Sequence, residues 1–203
     1  MFNFIKTHID FRLHRTTLLA LLFALLIFPC YIFLPEKYGY ENGLLENFQM
    51  AILFLGLFFA FTSKVNKKFF ITIGLVLIIL MLREVNCGRT LFFPIPGQEN
   101  MFYGWDQIKY GYLAHPLYGL YIASVAVYFL WNKCFITLWK IIKNAKFPIW
   151  DILFVILSML AGIYIDHAVD SMVLEESVEL VFYVAIVGII WLYTRHKDFA
   201  IEE

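Results

Sequence analysis

Charge is scarce in this chain. Lys, Arg, Asp and Glu make up 16% of its 203 residues, against roughly 25% in an average soluble domain. A water-facing surface large enough to enclose 62% hydrophobic residues cannot be assembled from so few polar groups. The formal net charge is zero, which gives no electrostatic footprint for nucleic acid or another polyanion. The usual catalytic and zinc signatures are also missing: there is no H-E-x-x-H, no paired C-x-x-C, no G-x-S-x-G, no Walker loop and no phosphatase-like Ser-Gly-His. Ser63, Ser124, Ser158, Ser171 and Ser177 therefore sit in no nucleophile motif. With three cysteines, Cys30, Cys87 and Cys134, a disulfide framework is excluded and buried thiols are the expectation. No internal repeat, low-complexity tract or separate soluble domain interrupts the chain.

What the chain has instead is long apolar runs, at a mean hydropathy of +0.74. Bounded by charged or turn residues, they cover about 17–34, 44–62, 69–86, 112–131, 149–168 and 175–193. Each is near the ~20 residues that a 30 Å hydrocarbon core demands of a helix rising ~1.5 Å per residue. The expectation is a single all-α domain, a polytopic integral membrane bundle of about six transmembrane helices in the cell membrane. Its one implied partner is the lipid bilayer. A basic segment precedes the first run as in a signal peptide, but the run is long for one and no A-x-A-like cleavage site follows, so it is expected to be retained as a span.

Basic residues fix the expected orientation. Lys6, Arg12, Arg15, Lys64, Lys67, Lys68, Lys133, Lys140, Lys143, Lys146, Arg195 and Lys197 fall on one side of the six segments, and Lys37, Arg83, Arg89 and Lys109 on the other. The positive-inside rule then places both termini in the cytoplasm. Along 132–147, Phe135, Leu138, Trp139 and Ile142 recur at i, i+3, i+4 and i+7 with Lys133, Lys140 and Lys143 largely on other faces, the pattern of an interfacial helix. Phe2, Ile5, Ile9 and Leu13 make a weaker version at the N-terminus.

The candidate site lies in the polar residues of the apolar runs, since an ionisable group in hydrocarbon costs several kcal/mol and is kept where it has a partner or a task. Counted from Phe69, Arg83 and Glu84 lie roughly 21 Å along a 30 Å span. Glu46 with Gln49 at i, i+3, His115, Asp166, His167, Asp170, Glu175, Glu176 and Glu179 fall at similar depth, in the outer third. Asp166/Asp170 at i, i+4 and His167/Asp170 and Glu176/Glu179 at i, i+3 each present one side of a helix. Against Arg83, Arg89 and Lys109, the seven acids of this layer leave an excess of four negative charges, which asks for protonation or a bound cation. The expected catalytic set is Glu46, Arg83, Glu84, Arg89 and His115. The expected metal set is His115, Asp166, His167, Asp170, Glu176 and Glu179, imidazole and carboxylate donors of the kind that suit a divalent ion. Glu175-Glu176 has the double glutamate of intramembrane CAAX-type proteases without the arginine four residues later, a place held by Leu180, and carries no assignment to that family.

Between the third and fourth runs, Cys87 to Tyr110 is dense in Gly, Pro and aromatics and is expected to cap the polar layer at the interface. Three roles fit these features: a membrane-embedded enzyme acting on a lipid or membrane-associated substrate, a small proton- or cation-coupled transporter, and a structural or assembly subunit. The sequence leaves the oligomeric state open. The orientation is tested with topology reporters: one fused after Glu203 and one inserted near Ala145 read cytoplasmic, and one near Gln98 reads external. A cytoplasmic signal at Gln98 overturns it.

Overall fold

The computed structural model describes residues 8–199; the apolar positions Phe2 and Ile5 lie outside the described residues. Among these residues the architecture is all-α, with two dipeptide strands as its only β structure. A short strand β1 (Ile9–Asp10) precedes α1 (Arg15–Phe33), α2 (Leu44–Phe61), α3 (Lys67–Glu84), a single turn α4 (Arg89–Phe92) and α5 (Ala114–Trp131). The chain continues through α6 (Cys134–Asn144), strand β2 (Phe147–Pro148), α7 (Ile149–Ala168) and α8 (Met172–Arg195). The six long helices coincide with the six apolar runs to within three residues at each end.

Four helical segments, Arg15–Phe33, Glu36–Phe61, Gly111–Trp131 and Ile149–Ala168, are long and apolar enough to cross a membrane. A fifth is α3 with the turn that follows it, bent by 59°. The bend has a local cause: Asn86, Cys87 and Gly88 all have left-handed φ, at 43°, 53° and 88°, and three such residues in a row end a right-handed helix.

The helix with the most acidic start is the one most deeply enclosed. From Val173 through Tyr183 and Ala185 to Leu192, α8 is buried along most of its length against α1, α2 and α7. The apolar clusters around it join Ala20, Leu45 and Val184 on one side and Leu53, Leu77 and Ile190 on another. The apolar helices around it face outward: Leu25, Phe28, Leu120, Leu130 and Tyr164 are each more than 60% exposed. Helix α5 is attached mainly through α3 and α6 and buries only Val125 of its own residues. On α6 the stripe Phe135, Leu138, Trp139 and Ile142 is exposed, while Cys134 is buried against Phe69 and Phe70.

At the end of the bundle that holds the chain termini, β1 pairs in parallel with β2, and Trp150 Nε1 donates to the Phe11 carbonyl at 2.9 Å. Arg12 grips both Asp10, at 2.6 Å, and Asp198, at 2.7 Å. The Arg12 guanidinium, through its hydrogen bonds, holds the Asp10 and Asp198 carboxyls below the usual carboxylate range, against the opposing effect of burial. A depressed carboxyl contributes stability above its unfolded pKa of ~3.9 and loses it as pH falls through the lower folded value. Protection of the amides at residues 8–14 and 196–199, measured against their intrinsic exchange rates, is therefore high at neutral pH and falls below about pH 4, and in Arg12→Ala it is already reduced at neutral pH. A protection factor unchanged down to about pH 2 would remove the clasp from the structure's stabilising contacts.

Candidate functional site

The site is assembled at the start of α8, and its neighbours hold that start in place. Ser171 caps the helix, its Oγ accepting from Leu174 N at 3.4 Å. Glu36 Oε1 accepts from the Met172 and Val173 amides at 2.5 and 3.3 Å, a carboxylate at the positive end of the helix dipole. The turn carrying Glu36 comes so close that a Cβ on Gly39 would lie 2.5 Å from Val173 N, so only glycine fits there.

On α8, Glu176, Glu179 and Tyr183 at i, i+3 and i+7 share one face. That face meets the first turns of α2 and the last turn of α3. Gln49 of α2 is fully buried and donates through Nε2 to the Glu176 carboxylate at 2.6 Å and to its carbonyl at 3.0 Å. Tyr183 OH donates to Glu84 Oε1 at 2.5 Å. Arg83 donates to Glu179 Oε1 at 3.1 Å. These contacts draw Glu84, Glu176 and Glu179 together, with one carboxylate oxygen from each lying within 4.8 Å of the others.

Three carboxylates share one guanidinium, so full ionisation leaves two charges uncompensated among the groups in contact. Gln49 Oε1, on the same amide as the nitrogen that donates to Glu176, is buried with no hydrogen-bond partner. A buried polar atom without a partner is costly, and the three clustered carboxylates offer oxygen donors of the type that hard cations such as Mg²⁺, Ca²⁺ or Mn²⁺ take. Beside the cluster lies a cavity of about 150 Å³, walled by Arg83, Glu179, Tyr183 and Ser158 on one part and by Met159, Gly162, Ile163 and Phe182 on the rest. No protein family, curated protein or solved structure matches this chain. The site is read from its own atoms.

Of the residues singled out by sequence, Arg83, Glu84, Glu176 and Glu179 are brought together here. Glu46 lies at the edge: it is 5% exposed and its carboxylate accepts from the Asn42 backbone amide, so it closes the first turn of α2 while acting through space on Glu84 and Glu176. Arg89 sits over the Phe102 ring, 5.9 Å from its centroid.

His115, exposed in the first turn of α5, packs edge-on to Trp105 at 5.9 Å. Asp166, His167 and Asp170 are exposed at the end of α7, where the contact of His167 is with its own neighbour Asp166 at 4.0 Å. Among the described residues, no ion pair joins either imidazole to a carboxylate of another helix. The inner stripe of α7 explains this for two of them: Asp151, Ser158 and Ile165, seven apart, are the buried residues, and that rotation turns 166 and 167 outward. Asp170 lies beyond the helix end at Ala168, past the extended Val169, so the expected helical pairing of Asp170 with Asp166 and His167 does not form.

Gln49 and Tyr183 are the two site residues that the charge pattern alone leaves out of the set. Tyr183 carries a signal, being four residues after Glu179 on the same face. The aromatic loop 93–113 closes through a Pro94–Phe102 bridge and encloses, with Leu82, Cys87 and Leu117, a larger apolar cavity of about 560 Å³ between α3 and α5.

The Gln49–Glu176 contact is tested by thermal unfolding in detergent. Gln49→Leu lowers stability by about 1–3 kcal/mol, the cost of leaving a buried acceptor without its donor. Glu176→Leu made with it recovers part of that loss, because both partners are then apolar. A coupling energy near zero in the double-mutant cycle would reduce the contact to a bystander.

Proposed function

We propose that this chain is a multi-pass protein of the cell membrane, with six spans and both termini in the cytoplasm, whose Glu84–Glu176–Glu179 cluster holds a hard divalent cation and serves an enzyme active site. The substrate is a lipid or another membrane-associated molecule.

The membrane part is supported by the four or five helices long and apolar enough to span and by the outward-facing apolar side chains of α1, α5 and α7, which in water would form patches far beyond those soluble proteins carry. In this reading α8 is the sixth span, central and shielded from lipid, which allows it to carry three glutamates.

The observation that carries the chemical part is the convergence of three carboxylates within 4.8 Å, one of them held by a Gln49 amide whose own oxygen is buried without a partner. A cation held there polarises a substrate oxygen or activates water. Arg83, with its side chain 60% exposed beside the cavity, is placed to pair an anionic substrate group. Tyr183 fixes Glu84, and the mixed polar and apolar cavity suits the boundary between a headgroup and a chain.

An enzyme is favoured over a carrier because the site is one-sided. Beyond it, the face of α8 toward α2 and α3 is filled by Leu53, Ala60, Leu77, Met81 and Ile190, a dry apolar plug where a carrier needs polar groups.

The test is Mn²⁺ binding to the purified chain in detergent, read by electron paramagnetic resonance. One site is expected. Glu84→Gln and Glu176→Gln should each weaken it by about tenfold or more, and His115→Ala and His167→Ala should leave it unchanged. No saturable site, or a site that the histidine variants abolish and the glutamine variants do not, overturns the cation reading. Cation flux in proteoliposomes would return the carrier to first place.

A further inference from the structure

At the opposite end of the bundle, away from the carboxylate cluster, a second pair of cavities shares two residues. One, of about 220 Å³, is an apolar cleft between α1, α2 and the second half of α8, lined chiefly by Leu19, Ile52, Leu55, Phe59, Val184 and Val187. The other, of about 310 Å³, is lined by His14, Arg15, Trp191 and His196. Arg15 and Trp191 border both, so an apolar cleft runs into a basic mouth at the foot of α1.

We infer that this cleft binds one anionic phospholipid, its phosphate against Arg15 and an acyl chain laid along α1, α2 and α8. It requires the helices to sit in a bilayer but is independent of the cation site.

Three observations carry it. Arg15 is exposed and has no hydrogen-bond or ion-pair partner among the described residues, although its fork geometry suits a phosphate better than any other basic side chain. Thr16 Oγ1, next to Arg15, is buried without a hydrogen bond, as expected of a group left for a partner the chain does not supply, while His14 Nε2 faces Asp10 Oδ2 at 3.4 Å. The Arg15 charge at the mouth is free for an anion, because the nearby Asp10 and Asp198 are both held by Arg12; Asp151 accepts the Thr17 hydroxyl at 2.5 Å through one oxygen and leaves the other buried without a partner. Gly188 lets α1 approach closely, since a Cβ there would lie 2.9 Å from Thr16 Cβ. From Val184 to Trp191 the cleft follows α8 for about 10 Å, enough for the first part of one acyl chain. Trp191 at its mouth takes the interfacial position usual for that residue.

The experiment is native mass spectrometry of the full chain in detergent, titrated with phosphatidylglycerol or phosphatidylcholine of the same acyl chains. One phosphatidylglycerol is retained, preferred by about five-fold or more, the contribution of one basic residue at a membrane surface. Arg15→Gln removes the preference, and Arg15→Lys keeps part of it. Leu55→Trp fills the cleft and displaces both lipids; if it does not purify folded, Leu19→Trp tests the same cleft from α1. Glu84→Gln leaves the binding intact. Equal retention of the two lipids, a preference that survives Arg15→Gln, or full competition by millimolar inorganic phosphate overturns the inference. A chain that does not insert into bilayers at all removes the membrane reading with it, and the two failures are thereby distinguished.

Discussion

The arrangement of this bundle follows from one constraint: the acidic start of α8 is enclosed by other helices, and its carboxylates must find partners there. Carboxylates removed from water without donors are expensive enough to dictate packing. Gln49 answers Glu176, Arg83 answers Glu179, and Tyr183 answers Glu84. These contacts fix how α2 and α3 are rotated about α8, because each donor must point at the same face. With that rotation set, Leu53 on α2 and Leu77 on α3 fall into the core below the cluster, and the remaining apolar residues of the outer helices have only the exterior to face.

A second buried carboxylate does for the other end what the cluster does for the first. Asp151, in the first turn of α7, is fully buried and tied to Thr17 of α1, so the two helices that flank α8 are locked to each other through a charged group. Both anchors are polar and both lie near helix ends, where free backbone amides and dipole charge help to hold an anion. Between them the interface is almost wholly apolar. Specific contacts set register at the ends, and shape fills the middle. The close approaches at Gly188 to Thr16 and at Gly56 to Val187 bring α1 and α2 onto α8 where larger residues would hold them apart.

Helix positions were readable in advance because each is an apolar run of spanning length ended by charge, glycine or asparagine, and the backbone has few alternatives for such a run. Position along each helix followed from the same runs, since a helix rises a fixed distance per residue. Rotation did not. Asp166 and Asp170 have the same i, i+4 spacing in the sequence whether or not a helix joins them; here α7 ends at Ala168, before Asp170, and the buried stripe of Asp151, Ser158 and Ile165 turns Asp166 and His167 out. His115 belongs to α5, which is attached to the bundle mainly through α3 and α6. Glu84 and Glu176, by contrast, sit on helices whose inward faces are long and apolar, so the pattern that buries the helix buries the acid with it. Gln49 went unread as a ligand because an amide carries no charge to balance. Its importance rests on an unpaired oxygen, which only coordinates reveal.

The proposed cation site draws on that oxygen as well as on the excess of negative charge. A cluster whose work was to hold helices together would be satisfied most cheaply by neutral amides and hydroxyls, or by as many cations as anions, and every donor and acceptor in it would be used. Here three carboxylates meet one guanidinium, the amide that anchors Glu176 leaves its own oxygen facing nothing, and the guanidinium is 60% exposed beside a cavity instead of buried in the packing. Excess negative charge, a spare hard donor and an approachable arginine are each unfavourable for a purely structural contact. Together they are what a bound cation and an anionic substrate group would neutralise, in the same place and on the same side of the bundle.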